Sequence, residues 1–216
     1  MRLSNVCLEG IGAVIPEEIW SSDQIEAELT PLYERLKLPQ GRLELMSGIR
    51  RRRVWPEQTM PSGPSVRSGR HAIEAAGIDP QRIGCLIHAS VCRDFLEPAT
   101  ASRVHHGLSL PQQCWVYDVS NACLGVLNGI IQVANGIELG QIRAGLVVSC
   151  ESARQIIDAT IHRLQAEKDM DTFKKTIATL TGGSGAVAVL LTDASLSCTG
   201  HRLRGGVAKS AAEHHM

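Results

Sequence analysis

One cysteine of this 216-residue chain lies where thiol chemistry is expected. Cys123 occurs in the run DVSNACLGV at residues 118–126, where an apolar strand pattern passes into a helix pattern. A helix N-terminus presents free backbone N–H groups and the positive end of the helix dipole, which favour a thiolate and an oxyanion. The position is compatible with a nucleophile that attacks a thioester, but residue type and spacing alone favour an inert buried cysteine.

The remaining cysteines and histidines indicate neither a disulfide framework nor a metal site. The cysteines are odd in number and none forms a C-x-x-C pair; they occupy positions 7, 85, 92, 114, 123, 150 and 198. This pattern is typical of a reducing compartment, so a cytoplasmic location is expected. His105-His106 and His214-His215 are adjacent pairs whose side chains point apart, and no metal ion is expected.

Two further segments could suggest a phosphate ligand. Residues 50–53 are four arginines, which fit either a phosphate-bearing ligand or a solvated or salt-bridged strand edge. Residues 182–185 (GGSG) lack the Gly-Lys-Ser/Thr ending of a phosphate loop, so a turn that opens a strand is the better interpretation.

Composition excludes several functional classes. The 22 basic and 22 acidic residues balance, which argues against a nucleic-acid binder held by phosphate contacts. A hydrophobic share of 44% with 20 glycines is sufficient for a sizeable core. Residues 119–137 carry no charge, but the amide side chains within this run favour a helix buried in protein over a membrane span.

The elements that must position Cys123 follow an alternating α/β order. Ser21 and Gln24 form a capping box, Thr30 before Pro31 is expected to cap a second helix, and residues 39–65 are expected to be an irregular insertion. The predicted elements are a strand and turn at 3–15, a helix at 66–76, a strand at 83–91, a loop or short helix at 92–109, a strand at 113–119, a helix at 122–138, a strand at 144–150, a polar stretch after it, and a strand at 185–192. Near-continuous apolar strands between helices indicate a layered α/β fold.

Three motifs resemble one family. Residues 120–125 (SNACLG) resemble the nucleophile segment of the thiolase-fold condensing enzymes, in particular the 3-oxoacyl-[acyl-carrier-protein] synthase III group. Residues 46–52 (MSGIRRR) are similar to the T-G-I-x-x-R-R segment of that group, and residues 183–186 (GSGA) to its G-D-G-A turn. The resemblance implies a thiolase-like layered αβαβα fold and a catalytic role for Cys123.

A narrower resemblance concerns residues 90–102 (SVCRDFLEPATAS). They are similar to the branch that joins two long-chain acyl-CoA molecules head to head in bacterial olefin biosynthesis. In that branch a glutamate 26 residues before the nucleophile enters the active site of the partner subunit as a base, and 123 minus 26 gives Glu97. A plain acyl-CoA must lose an α-proton to a base, which makes a carboxylate useful there. The alternative is a solvated loop glutamate, and Cys92 nearby is expected to serve packing.

The chain departs from the family in its second half. A histidine and an asparagine complete the family's site, but no histidine after Cys123 stands in the family's motif context. We expect residues 1–192 to form the N-terminal half of the fold and residues 193–216 the incomplete start of the C-terminal half. The chain alone is then expected neither to fold as a stable monomer nor to condense substrates, and a separate chain could supply the other half.

These observations predict an acyltransferase that forms a carbon–carbon bond between two acyl thioesters through an acyl-enzyme at Cys123, with Glu97 as base. CoA or acyl-carrier-protein thioesters are the expected substrates, no cofactor is expected, and a homodimer is the expected assembly. One alternative is a decarboxylative synthase that uses malonyl-carrier protein. Another is a non-catalytic half-subunit that pairs with an active chain.

Overall fold

The computed structural model describes residues 1–167 and 169–214. Of the features named above, Lys168 in the polar stretch, His215 in the second histidine pair and the final Met216 lie outside the described residues.

A five-stranded mixed sheet forms the centre of the fold. Its strands are Val6–Val14 (β1), Cys85–Ala89 (β4), Trp115–Val119 (β5), Ala144–Glu151 (β6) and Gly185–Asp193 (β7), in the order β1-β7-β6-β4-β5. Strand β4 runs parallel to both β5 and β6, whereas β7 is antiparallel to β1 and β6. Two short strands, Glu18–Ser21 (β2) and Arg51–Val54 (β3), form a separate antiparallel pair. The prediction of a layered α/β fold is confirmed.

The described residues form eight α-helices. They are Ser22–Glu28 (α1), Thr30–Leu36 (α2), Arg42–Ser47 (α3), Ser62–Ala76 (α4), Thr100–Gly107 (α5), Gly125–Glu138 (α6), Arg154–Glu167 (α7) and Met170–Thr176 (α8). Of these, α4, α5 and α6 pack on the five-stranded sheet. Among the helices of the described ranges, none is long and apolar enough to cross a lipid bilayer.

The core has one cluster on each face of the sheet, because successive strand residues point to opposite faces. Along β4, Leu86 packs into the cluster that contains residues of α4 and α5, whereas Ile87 packs into the cluster on the α6 side. All five residues of β4 are buried, as expected for a strand covered on both faces. A third cluster joins α1 and α2 to α7 and α8, and it includes Phe173.

Helix α4 approaches β1 closely because glycines leave room for its backbone. A Cβ atom at Gly12 would lie 2.0 Å from the carbonyl oxygen of Ser68, and one at Gly10 would lie 2.4 Å from that of Ala72. Any side chain at these two positions would therefore push α4 away from the sheet.

Some local predictions were wrong. Thr30 does not cap α2, because the capping position is Leu29 and the Thr30 hydroxyl donates to the Ala27 carbonyl oxygen at 2.7 Å. The segment at 39–65 is not irregular throughout, since it contains α3, β3 and the first turn of α4. The polar stretch after β6, for which no secondary structure was predicted, forms α7 and α8. The capping box of Ser21 and Gln24 is confirmed.

Three of the four arginines of the run at 50–53 lie in strand β3, and two of these bond to neighbouring segments. Arg52 is buried in β3 and donates to the Ser22 hydroxyl at 2.9 Å, while Arg53 donates to the Pro16 carbonyl oxygen at 3.0 Å. These two side chains tie β3 to neighbouring segments.

The last described segment, 194–214, contains no named strand. Isolated bridges join Arg202 to Cys7 and Gly205 to Arg2, so this segment runs beside the edge strand β1. The assignment of residues 193–216 to a second half of the fold stays a prediction.

Candidate active site

Cys123 lies on a tight turn between strand β5 and helix α6. Residues Ala122–Leu124 form one turn of 3₁₀ helix that leads directly into α6, and the Cys123 side chain is exposed. Ala122 has a φ of 41°, which places a non-glycine residue in the left-handed region. That conformation costs about 1–2 kcal/mol for an L-residue, and such strain is concentrated at functional sites.

The turn uses some of the backbone donors that the sequence assigned to the helix N-terminus. The Leu124 N–H donates to the Asn121 carbonyl oxygen at 2.9 Å, and the Gly125 N–H donates to that of Ala122. The N–H of Cys123 takes part in neither bond. Of these three donors, it is the one available to an oxyanion beside the thiol.

Side chains hold this turn against the helix. The Asn121 side-chain amide donates to the Asn128 side-chain oxygen at 2.6 Å, which links the residue before the 3₁₀ turn to the first turn of α6. Gly125 lies next to the backbone of Ala89 on β4, and a Cβ atom there would be 3.5 Å from the Ala89 carbonyl oxygen. The start of α6 is therefore fixed against the end of β4.

Several other cysteines have a different environment from Cys123. Burial raises the pKa of four thiols: to about 11 for Cys85 and Cys92, and to about 12 for Cys114 and Cys150. These side chains are protonated at neutral pH and are therefore weak nucleophiles. The Cys92 sulfur accepts from the Ser152 N–H at 3.3 Å, which agrees with a packing role.

Glu97 lies on the loop between β4 and α5, and its side chain is exposed. Because β4 and β5 are parallel neighbours, their carboxyl ends meet at one edge of the sheet. The Glu97 loop leaves that edge from β4, and the Cys123 turn leaves it from β5. Within the described ranges, no hydrogen bond joins the Glu97 carboxylate to Cys123.

A buried polar group beneath this edge was not predicted from the sequence. Asp118 on β5 accepts from the backbone N–H groups of Thr100 and Ala101, both at 2.9 Å, and so binds the N-terminus of α5. His88, its register partner on β4, lies 3.9 Å from the Asp118 carboxylate and is fully buried. Burial lowers the pKa of His88, and the Asp118 charge opposes that shift. Only the strand register could have revealed this pair.

One of the histidines after Cys123, none of which stands in the family's motif context, lies on helix α7. His162 lines a cavity of about 670 Å³ between α1 and α7 together with Trp20 and Arg154. The described ranges contain no group of three or more His, Cys, Asp or Glu side chains arranged to hold a metal ion.

Comparisons with known proteins identify the family of this fold. The chain is 45% identical over 218 residues to the acyl-CoA:acyl-CoA alkyltransferase of Shewanella oneidensis, an alignment that covers 100% of this chain and 62% of the relative. It is 35% identical over 214 residues to the protein of the same name from Xanthomonas campestris, with coverage of 99% and 63%. More distantly, it is 27% identical over 158 residues to a beta-ketoacyl-[acyl-carrier-protein] synthase III of Symbiobacterium thermophilum, with coverage of 73% and 46%. The chain thus spans less than two thirds of the length of these relatives.

Solved structures agree. Acetamide-bound Xanthomonas campestris OleA superposes with a TM-score of 0.94 at 34% identity, covering 100% of this chain and 66% of that one. Variants of OleA with a substituted glutamate and with a substituted cysteine have also been solved, and these two residues are 26 positions apart, the separation of Glu97 and Cys123. A histidine substituted in another variant is 142 positions after that cysteine, and the same separation from Cys123 would lie beyond residue 216.

The match to a family described as thiolase, N-terminal domain, covers residues 65–182, more than half of the chain. This range contains β4, β5 and α6, the elements that carry and position Glu97 and Cys123. The resemblance of the sequence motifs to thiolase-fold condensing enzymes is thereby confirmed, and the chain belongs to the thiolase family.

Proposed function

We propose that this chain is the nucleophile-bearing portion of an acyltransferase that joins two acyl-CoA molecules by a Claisen condensation. The observation that carries the proposal is the 45% identity, over the whole chain, to an acyl-CoA:acyl-CoA alkyltransferase. A solved OleA variant with bound lauric acid and lauroyl-CoA supports a long-chain acyl-CoA as the substrate class.

In the first half-reaction, the Cys123 thiolate attacks the thioester carbonyl of one acyl-CoA. A carbon–sulfur bond forms to Cys123, the bond to CoA breaks, and CoA leaves as a thiolate that takes up a proton. The exposed thiol on its strained turn and the unused Cys123 N–H are the groups that this step requires.

In the second half-reaction, Glu97 removes an α-proton from the second acyl-CoA. The resulting carbanion attacks the acyl-enzyme carbonyl, the bond to Cys123 breaks, and the thiolate is restored as a β-ketoacyl-CoA leaves. The second substrate keeps its own CoA, so the reaction needs neither an oxidant nor a reductant. The 26-residue separation shared with OleA supports this role for Glu97.

The two half-reactions provide the test. The complete enzyme is incubated with radiolabelled acyl-CoA, and protein-bound label and β-keto product are measured separately. We expect Cys123→Ala to abolish both signals, and Glu97→Gln to keep bound label while losing condensation by about 10²–10⁴-fold. Label that survives Cys123→Ala would overturn the proposed nucleophile.

A decarboxylative synthase III is the second candidate, favoured by the similarity to the Symbiobacterium protein. Decarboxylation of a malonyl group generates its own carbanion, so this reaction needs no base for an α-proton. Strict dependence on malonyl-carrier protein, together with full activity of Glu97→Gln, would favour it. The lower identity and the shared Glu–Cys separation support the acyl-CoA reaction instead.

We also propose a homodimer in which Glu97 serves the partner's site. Strand β5 is an edge of the main sheet, where another strand can pair, and Trp115 on it is 45% exposed. Apolar side chains are exposed nearby on the Glu97 loop, at Phe95 and Leu96, and on α6, at Leu127. A second copy would cover such a surface.

Complementation tests this arrangement. Neither Cys123→Ala nor Glu97→Gln should condense substrates alone, but subunit exchange between them should restore about one quarter of the wild-type sites, because half of the dimers are mixed and each has one complete site. No restoration after verified exchange would place Glu97 in the site of its own chain.

The odd number of cysteines, all of them free, supports our further proposal of a cytoplasmic location.

A further inference from the structure

We infer that Asp94 and Thr100 are positioning residues that hold the Glu97 loop in its catalytic shape. The inference rests on the proposed function of Glu97 as a base. It concerns how the chain presents that carboxylate, which neither the sequence motifs nor the comparisons address.

The two ends of the loop are joined by one hydrogen bond between these two residues. The Asp94 N–H donates to the Thr100 hydroxyl oxygen at 3.1 Å, across six residues of chain. Thr100 is fully buried, and so is the side chain of Asp94. Between them, Leu96 is 84% exposed and Glu97 is also exposed. The two ends of the loop are therefore buried and joined, whereas its apex is exposed.

The joined ends of the loop are bonded to three separate elements. The Asp94 carboxylate accepts from the Ser62 N–H at the start of α4, at 2.9 Å, and pairs with Arg103 of α5 at 3.0 Å. The Thr100 N–H donates to the carboxylate of Asp118 on β5, also at 2.9 Å. Because the buried Asp94 carboxylate receives a backbone donor and a guanidinium, its position is strongly defined.

The hydrogen bond that joins the two ends of the loop determines where the apex lies. A general base must lie within hydrogen-bond reach of the proton that it removes. A displacement of about 1 Å can cost about 10²-fold in rate. If the Asp94–Thr100 bond is removed, the six-residue span gains freedom, and the backbone of Glu97 is no longer held in place even though the chemistry of its carboxylate is unchanged.

The test separates this role from a merely structural one. Thr100→Val keeps the shape of the side chain but removes the acceptor, whereas Thr100→Ser keeps the hydroxyl. Thr160→Val is the matched control, since Thr160 is a buried threonine of α7 whose hydroxyl donates to the Ile156 carbonyl oxygen at 2.7 Å. The acyl-enzyme is first formed in the complete enzyme with unlabelled acyl-CoA, and acyl-CoA deuterated at the α-carbon is then added.

We expect Thr100→Val to slow condensation by about 10–100-fold, with Cys123 acylation changed less than about twofold. The isotope effect on the second step should rise because proton removal becomes slower. Thr100→Ser should restore both quantities, and Thr160→Val should change neither. Arg103→Met, which alters a half-exposed side chain, should give a weaker form of the same split if Thr100→Val does not fold.

Equal losses of acylation and condensation in Thr100→Val, or the same split in Thr160→Val, would overturn the inference. Wild-type condensation in Thr100→Val would do so as well. Glu97→Gln in the same assay distinguishes failure of the positioning role from failure of the proposed general base. If that variant condenses normally, the proposed base is wrong; if it fails while Thr100→Val is normal, only the positioning role is wrong.

Discussion

The packing of helix α6 on the sheet can be tested with two glycines that differ in the space available to a Cβ atom. Gly125 and Gly129 are one turn apart on the buried face of the helix that follows Cys123. A Cβ atom at Gly129 would lie 2.8 Å from a methyl carbon of Val147 on β6, closer than real contacts allow, and Val147 is itself buried. At Gly125 the nearest atom would be 3.5 Å away, an ordinary contact.

The expected free energies follow from two opposing effects. Alanine stabilises a helix interior by about 0.8–1 kcal/mol relative to glycine. Gly129 lies in the interior and receives this gain in full, whereas Gly125 is the first residue of α6 and receives only part of it. Overpacking a buried contact costs about 1–3 kcal/mol, and only Gly129→Ala carries this cost. We therefore expect Gly125→Ala to raise the free energy of unfolding by up to about 1 kcal/mol, and Gly129→Ala to lower it by up to about 2 kcal/mol.

Thermal unfolding of the complete enzyme measures the difference between the two variants. A change of 1 kcal/mol shifts the midpoint by about 2–4 °C for 150–250 residues and by less for the longer complete enzyme, so the pair should be separated by a few degrees. Gly129→Ala should also slow acylation of Cys123, because a shift of α6 moves the turn that carries the thiol. Equal midpoints, or a more stable Gly129→Ala, would contradict the described packing of α6 against Val147.

Two further predictions concern titratable side chains. Iodoacetamide should modify the exposed Cys123 and Cys198 well before the half-buried Cys92, whose pKa is raised by burial to about 11. Peptide mass spectrometry follows the labelling, and comparable labelling of Cys92 would contradict its raised pKa. Burial also lowers the pKa of His88 below its unfolded value of about 6.5, so the unfolded chain binds the proton first as the pH falls. The free energy of unfolding should therefore fall as the pH drops through that value, by at most about 1.4 kcal/mol per pH unit. His88→Gln should reduce this slope in urea titrations between pH 5 and 8, whereas an unchanged slope would contradict the lowered pKa of His88.

Local signals in the sequence predicted the elements whose stability is local. The capping box of Ser21 and Gln24 satisfies its own donors within one turn, and the apolar run of β4 is long enough to indicate a buried strand. The same holds for Cys123, because a strand pattern that passes into a helix pattern places a thiol at a helix start whatever the rest of the fold.

Features that depend on distant residues could not be predicted in this way. The composition of residues 39–65 suggested an irregular segment, but β3 forms there because it pairs with β2, and Arg52 is buried because Ser22 accepts its hydrogen bond. Threonine is a residue type that commonly caps a helix, yet the hydroxyl of Thr30 donates to the Ala27 carbonyl oxygen of the preceding helix. In both cases a tertiary or neighbouring partner overrode a local preference.

Glu97 marks the boundary between these two kinds of information. Nothing local distinguishes an exposed loop carboxylate from any other, so composition and spacing left both interpretations open, and only the resemblance to a family selected the base. The structure adds a physical reason that motifs do not contain. An exposed glutamate on a flexible loop has no defined position, whereas this one projects from a loop whose two ends are buried at Asp94 and Thr100. The hydrogen bond between these ends makes the carboxylate a candidate for catalysis.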